Sequence, residues 1–230
     1  MTPIGLSIVI PTLNEAARLP ATFAALSAPA GGGGEGLEIL VSDGGSRDAT
    51  AELAGAAGAQ VVTGAQGRGA QLATGADAAQ GGWLLFLHAD TRLAPGWHAA
   101  ATAFMADPAN RQRAGYGRFR LDDPHPRARR LEKRVAWRCR RFGLPYGDQG
   151  LLVARDFYRA LGGYRPLPLF EDVDLVRRIG QNRLVPLDID AVTGAERFLQ
   201  AGYRHRSARN LALLSLYLMG VPPALLARLY

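Results

Sequence analysis

The chain has 230 residues, the length of one domain or of one domain with an appended segment. Hydrophobic residues make up 48% of it and charged residues 20%, a balance that excludes a disordered or fibrous chain and allows a sizeable core. A formal charge of +7 and a pI near 10.2 favour acidic partners: nucleic acid, anionic lipid heads or phosphorylated metabolites. Lys133 is the only lysine, so arginine carries the excess. The single cysteine, Cys139, excludes an internal disulfide, and no Cys/His cluster has zinc spacing, so a reducing compartment is expected. The opening MTPIGLSIVIPTLNE lacks the basic residues and long apolar run of a secretory signal. The longest apolar run, 211–220, falls short of the roughly 20 residues a spanning helix needs. The expected location is cytoplasmic, with peripheral attachment to the inner face of the plasma membrane as an option.

In chain order, LSIVI (6–10), LEILV (37–41), QVV (60–62) and WLLFL (83–87) are short continuous apolar runs, as expected of strands buried on both faces. Ala-rich segments at 14–27, 48–58 and 68–80 have helical composition. This βαβα alternation predicts an α/β fold with a mostly parallel sheet and helices on both faces. APAGGGGEG (28–36) reads as a flexible surface loop, because the alternation resumes after it. Beyond residue 115 the rhythm is irregular, with strands predicted at 116–121 and 149–153 and helices at 126–142, 155–161 and 171–180. The last stretch, LALLSLYLMGVPPALLARLY, is apolar around most of its circumference, so it must be buried, dimeric or interfacial. The chain thus divides into a domain at 1–205 and a C-terminal helical extension at 206–230, packed on the domain, a dimer partner or a membrane.

Open α/β sheets bind ligands at the carboxyl ends of their strands. The four predicted strands end in PTLNE (11–15), SDGGS (42–46), TGAQGRG (63–69) and HADT (88–91), delivering Asn14, Glu15, Asp43, Arg68, His88 and Asp90 to one edge. Each piece alone has a plain structural reading. Asp43 before Gly44 and Gly45 is also ordinary turn chemistry. GRGAQLATG (67–75) puts Arg68 at a helix N-terminus suited to phosphate, yet it matches neither the P-loop nor G-x-G-x-x-G. In an extended segment His88 and Asp90 point to the same side and can converge on one ion, Mn²⁺ being the better match for an imidazole beside a carboxylate. Equally, His88 can be a hydrogen-bonded strand-end histidine and Asp90 a cap.

IVIPTLNE, ILVSDGGSRDAT, GRGAQLATG, LLFLHADT and FEDVDL, in this order and spacing, resemble a family 2 glycosyltransferase of GT-A fold. More narrowly they resemble a compact bacterial subgroup with His-Ala-Asp where most relatives carry Asp-x-Asp. The likeness spans residues 4 to 180. It implies an inverting transfer of a sugar from a nucleotide-diphosphate sugar, a UDP-sugar favoured, to an acceptor that is lipid-linked or small. Pro11, Asn14, Glu15, Gly44 and Ala89 would line the nucleoside pocket, with Asp43 hydrogen-bonding base or ribose and Arg68 near the diphosphate. Asp90, with His88, would hold a divalent metal, Mn²⁺ favoured or Mg²⁺. PLFEDVDL (168–175) offers Glu171 and Asp172 at a first helical turn, and Asp172 would be the base. LPYGDQGLLV (144–153) offers Asp148 as a further catalytic carboxylate, and Gln149 for sugar or acceptor. The processive members' Gln-x-x-Arg-Trp is absent, QAGYRHR (200–206) being a remnant at best, so a single transfer is expected.

On a helical projection of 127–142, Leu131, Val135, Cys139 and Phe142 form one stripe, while Arg129, Arg130, Lys133, Arg134, Arg138, Arg140 and Arg141 fill the rest around Trp137. That is either a solvated charged face or a surface for an anionic membrane or phosphorylated acceptor, with Trp137 in contact. A homodimer through the apolar C-terminus is the other expected partnership, and no nucleic acid is expected, since the first 115 residues carry no aromatic platforms among basic residues. Two other classes remain open: a nucleotidyltransferase on a related sheet, and a catalytically silent basic binding module.

Overall fold

The computed structural model describes residues 5–27 and 36–229; the loop expected at 28–36 lies, but for Gly36, outside the described residues. The first half follows the predicted alternation: β1 (Leu6–Thr12), α1 (Leu19–Leu26), β2 (Leu37–Asp43), α2 (Thr50–Ala56), β3 (Gln60–Thr63), α3 (Arg68–Ala78) and β4 (Trp83–Phe86). β1 is buried at every position, which is why LSIVIPT shows no alternation. β1 pairs in parallel with β2 and β4, and β2 with β3. α3 lies close on this sheet because Gly75 is flush with it: a Cβ there would sit 2.4 Å from a Val9 methyl.

The first helix starts later than its composition suggests, at Leu19 rather than 14. Asn14 adopts a left-handed backbone, φ 56°, and the N–H groups of Asn14, Glu15 and Ala16 donate to the side chains of Ser46, Thr50 and Asp48. Side-chain acceptors on the next loop thus take the donors a helix would have used.

The second half closes the sheet. After β5 (Thr91–Leu93) and α4 (Trp97–Ala106) come β6 (Ala114–Leu121), α5 (Pro126–Phe142), β7 (Leu151–Ala154), α6 (Arg155–Ala160), α7 (Glu171–Ile179) and β8 (Leu184–Thr193). β5, α4 and β8 had no sequence prediction. β8, LVPLDIDAVT, carries Pro186 and is only partly buried over its first half, so it lacks a clean strand signature. The strand order is β3-β2-β1-β4-β7-β6-β8-β5. β7 runs antiparallel to β4 and β6, β6 is parallel to β8, and β8 is antiparallel to β5. The sheet is therefore parallel through its first half and mixed beyond it.

α8 (Glu196–Ala201), α9 (Tyr203–Leu218) and α10 (Pro223–Leu226) complete the chain. Leu213 and Leu226 bury against Leu169, so one face of the C-terminal segment is packed on the domain. Leu211, Leu218, Met219, Leu225 and Leu229 are exposed on the other. Among the described residues, no helix is long and apolar enough to cross a membrane.

Candidate active site

A cleft with two lobes runs along the carboxyl ends of β1 and β4. The first lobe is lined by Pro11, Thr12, Leu13 and Glu15 after β1, by Gln66 to Arg68 at the start of α3, and by the turn after β4. The second holds Tyr146, Asp148, Phe170, Glu171 and Asp172, with Arg206, Asn210 and Leu213 of α9 on its far side. Arg68, His88 and Asp90 belong to both lobes and form the wall between them.

The floor of the first lobe is fixed by buried polar groups. Gln71 donates its amide to the carbonyls of Thr12 (2.5 Å) and Ser42 (3.0 Å), tying the ends of β1 and β2 to α3. Asp43 accepts from Thr12 Oγ1 (2.9 Å), from the Ser46 hydroxyl, and from the N–H groups of Gly45 (3.0 Å) and Ser46 (2.7 Å). Burial acts to raise its carboxyl, but these hydrogen bonds, Ser46 foremost, hold it below the usual carboxylate range. All four acceptor positions of Asp43 are thus occupied, three by its own loop and one by Thr12 at the end of β1. Asn14 accepts from Arg47 N–H (2.9 Å) and Glu15 pairs with Arg18 (2.9 Å), so both brace loops, and Glu15 still lines the lobe.

HADT is a turn rather than an extended segment: Thr91 N–H donates to His88 carbonyl (3.1 Å), and Thr22 Oγ1 donates to Ala89 carbonyl (2.7 Å). His88 and Asp90 face the same cleft because the chain reverses there, which corrects the strand-based reason given for their convergence. Ala89 is buried beneath them. Among the described residues no three His, Cys, Asp or Glu side chains are grouped to hold a metal ion by themselves. A hard divalent ion held by one or two carboxylates and completed by substrate phosphates needs no such cage. The donor set therefore fits an ion shared with a diphosphate, with Asp90 as oxygen ligand and His88 beside it.

The second lobe is built where the 146–150 segment meets α7. Asp172 accepts from the N–H groups of Gly147 (2.8 Å) and Val173 (2.7 Å). Gly147 is packed on His88, so closely that a Cβ would lie 2.4 Å from Nε2. Gln149, expected at the sugar or acceptor, turns inward: it is 3% exposed, donates to Gly117 carbonyl (2.9 Å) and accepts from Tyr146 N–H (3.2 Å). It holds the loop instead of lining the cleft. Arg138 lies 3.5 Å above the Tyr146 ring. Trp137, 56% exposed, faces solvent beside Phe142.

α7 is preceded by Phe170, whose φ of 65° is unusual for a bulky side chain. Its first turn separates three acids. Asp174 is clasped by Arg165 and Arg178. Glu171, almost fully buried, pairs with Arg68 at 2.6 Å. Burial, with Asp172 adjacent, pushes the Glu171 carboxyl up to about 7 despite Arg68. Asp148 is half-buried, with one buried oxygen that has no hydrogen-bond partner. Burial first, and then Asp172 and Asp90 nearby, lift it to about 6 although Arg138 and Arg68 oppose this.

Arg206, Asn210, Phe198, Tyr146 and Thr193 were not foreseen at the site. Arg206 falls in QAGYRHR, the stretch set aside as a remnant motif, and its i,i+4 spacing from Asn210 was the available signal that both share one face of α9.

The fold that carries this cleft is that of a GT-A glycosyltransferase. The chain belongs to glycosyl transferase family 2, whose model matches residues 7–159. It is similar to the mannosyltransferase PcManGT from Pyrobaculum calidifontis, solved with GDP-Man and Mn²⁺ (TM-score 0.70, 20% identity, 97% of this chain and 67% of that one). A second is glucosyl-3-phosphoglycerate synthase from Mycobacterium tuberculosis, solved with Mn²⁺, UDP and glucosyl-3-phosphoglycerate (TM-score 0.61, 19% identity, 95% and 81%). A third is S. aureus TarS 1-349 with UDP-GlcNAc (TM-score 0.63, 14% identity, 83% and 58%), so the chain spans little more than half of that solved chain. No curated protein matches the sequence.

Proposed function

We propose that the protein is an inverting, non-processive glycosyltransferase that moves a sugar from a nucleoside-diphosphate sugar to an acceptor hydroxyl. The observation that carries this reading is the shared wall: Arg68, His88 and Asp90 stand between a lobe suited to a nucleoside and a lobe holding three carboxylates. A diphosphate at that wall would put the anomeric carbon at the mouth of the second lobe. A UDP-sugar is favoured, since two of the three solved relatives above carry UDP or a UDP-sugar; the third carries GDP-Man.

The nucleoside would rest on Pro11, Glu15 and Ala89, with Asp43 and Gly44 shaping the loop beneath. Asp90 and His88 would hold a divalent ion, Mn²⁺ favoured, which when bound neutralises charge on the departing diphosphate. Arg68 at the α3 N-terminus adds a fixed positive charge there. Asp172 takes the proton of the acceptor hydroxyl as its oxygen bonds to the anomeric carbon, and the bond to the diphosphate breaks on the opposite face. One displacement of this kind inverts the anomeric centre. The acceptor, lipid-linked or small, would be held by Asn210 and Arg206, while Gln149 positions the loop.

A second assignment of the base has its own support. Asp148, lifted to about 6 and with an unpartnered oxygen, has a basicity suited to proton transfer near neutral pH. Asp172→Asn should lower kcat by about 10²–10⁴-fold with the thermal transition preserved. If Asp172→Asn keeps most of its rate while Asp148→Asn abolishes it, and the wild-type acid limb falls near pH 6, the base is Asp148.

The donor is tested by a thermal-shift panel of UDP, GDP, dTDP and CDP sugars with and without Mn²⁺. A metal-dependent shift with one donor, absent in Asp90→Ala, is expected. Release of pyrophosphate with transfer of the nucleotide would instead identify a nucleotidyltransferase. No shift and no turnover with any donor would favour the silent binding module.

A further inference from the structure

α5 is poorly explained by catalysis. Its inner face, Ala128, Val135 and Cys139, packs on Tyr116 and Phe119 of β6. Its one acid, Glu132, is buried and spent on Arg120, Arg129 and the Leu121 N–H. Arg129 and Arg138 are likewise turned inward, onto carbonyls of residues 121, 123 and 144. What remains outside is Arg127, Arg130, Lys133, Arg134, Arg140 and Arg141, all exposed. Among the described residues none of these six is in an ion pair with a carboxylate.

At 100° per residue, Arg130, Arg134, Trp137 and Arg141 fall within about 60° of arc, so they form one outward stripe. Trp137 in its middle is 56% exposed and Phe142 at its end 49%. Leaving unneutralised cations side by side costs self-repulsion, which an anionic partner removes. An exposed indole between them suits the headgroup zone of a bilayer, where an amphipathic ring is at home.

We propose that the outer face of α5 docks the protein on an anionic membrane. α9, in contact with α5, lines the second lobe on one side and presents exposed Leu211 and Leu218 on the other. The docked enzyme would therefore hold its acceptor lobe at the bilayer, and a lipid-carried hydroxyl is the acceptor class that this arrangement serves. Docking itself does not depend on the sugar-transfer reading; the acceptor class does.

The experiment is flotation of the full chain with phosphatidylcholine vesicles, with and without about 30% phosphatidylglycerol, at low and high salt. Binding confined to phosphatidylglycerol vesicles and reversed by salt is expected. The triple variant Arg130→Glu, Arg134→Glu, Arg141→Glu should bind at least about tenfold more weakly. Trp137→Ala alone should bind more weakly at unchanged thermal stability, which keeps the test valid if the triple variant misfolds. Equal flotation with both vesicle types, or none with either, overturns docking. So does retention of the wild type on polyuridylate, or a dimer in sedimentation, that the triple variant abolishes while vesicle binding is unaffected. Donor hydrolysis measured without vesicles tests the transferase separately. If docking holds but extracted polar lipids accept no sugar, only the acceptor class falls.

Discussion

At Gly147 the two halves of the cleft touch: its N–H is held by Asp172 while its Cα packs against His88. A methyl group here would have to displace the imidazole or the loop. Gly147→Ala should therefore fold, since the overlap falls on the end of one side chain lining the cleft, but should lower kcat/KM by about 10²-fold through misplacement of the reacting groups. Steady-state kinetics beside a thermal melt checks this. At the residue scale, Arg68, His88, Asp90, Asp148, Glu171 and Asp172, all singled out in the sequence, line one cleft. Gln149 could not be read correctly, because a glutamine beside a glycine-rich turn looks the same whether its amide faces a ligand or the carbonyl of Gly117. Asp43 has the same ambiguity, and its filled hydrogen bonds emerge only with Thr12 brought from β1.

Among the elements, α7 and α9 depend on each other. Phe170 keeps its left-handed backbone while stacked on Tyr217 at 4.9 Å and 27°. Backbone strain of this kind, about 1–3 kcal/mol, persists only where surrounding packing over-determines it. Tyr217 is thus a positioning residue for the turn that carries Glu171 and Asp172. Tyr217→Ala should release Phe170 and lower kcat more than it raises KM, whereas Tyr217→Phe, which retains the stack, should restore wild-type kinetics. Equal losses in both variants would sink this role. The sequence showed α9 as an apolar stretch needing cover, yet gave no sign that its polar edge, Arg206 and Asn210, completes the site. Helix periodicity tells which residues share a face, not which neighbour that face meets.

For the whole molecule, stability should fall as pH rises from about 4 to neutrality. Asp148 and Glu171 are lifted to about 6 and about 7, so the folded protein keeps protons that the unfolded chain gives up near ordinary carboxylate values. Their contribution is fully present below about pH 4 and is lost as pH climbs through 6 and 7. Asp43, held below the usual range, acts oppositely, and its contribution is lost as pH falls below about 4. The thermal midpoint should therefore be highest near pH 4, fall between about pH 4 and 7, and change little further toward 8. The separation between 3.8 and about 6 for Asp148 corresponds to at most about 3 kcal/mol. Asp148→Asn should raise the midpoint at pH 8 by about 5 °C and change it little at pH 4 or below. A flat profile for wild type, or equal effects at both pH values, would count against the burial of these charges.

The sequence by itself determined the parallel half of the sheet, the polar ends of its strands and the family, because strand runs, turn residues and local spacing are short-range properties written in order along the chain. Only the tertiary structure decided the rest. β7, β6 and β8 find partners across long separations, the HADT turn is held by Thr22 on α1, and Glu171 on α7 meets Arg68 on α3 from a distant part of the sequence. Burial of a charge is a property of everything packed around it. The basicity of Asp148 and Glu171, and with it the chemistry available to the cleft, could arise only once α3, α7 and the 146–150 loop closed on one another.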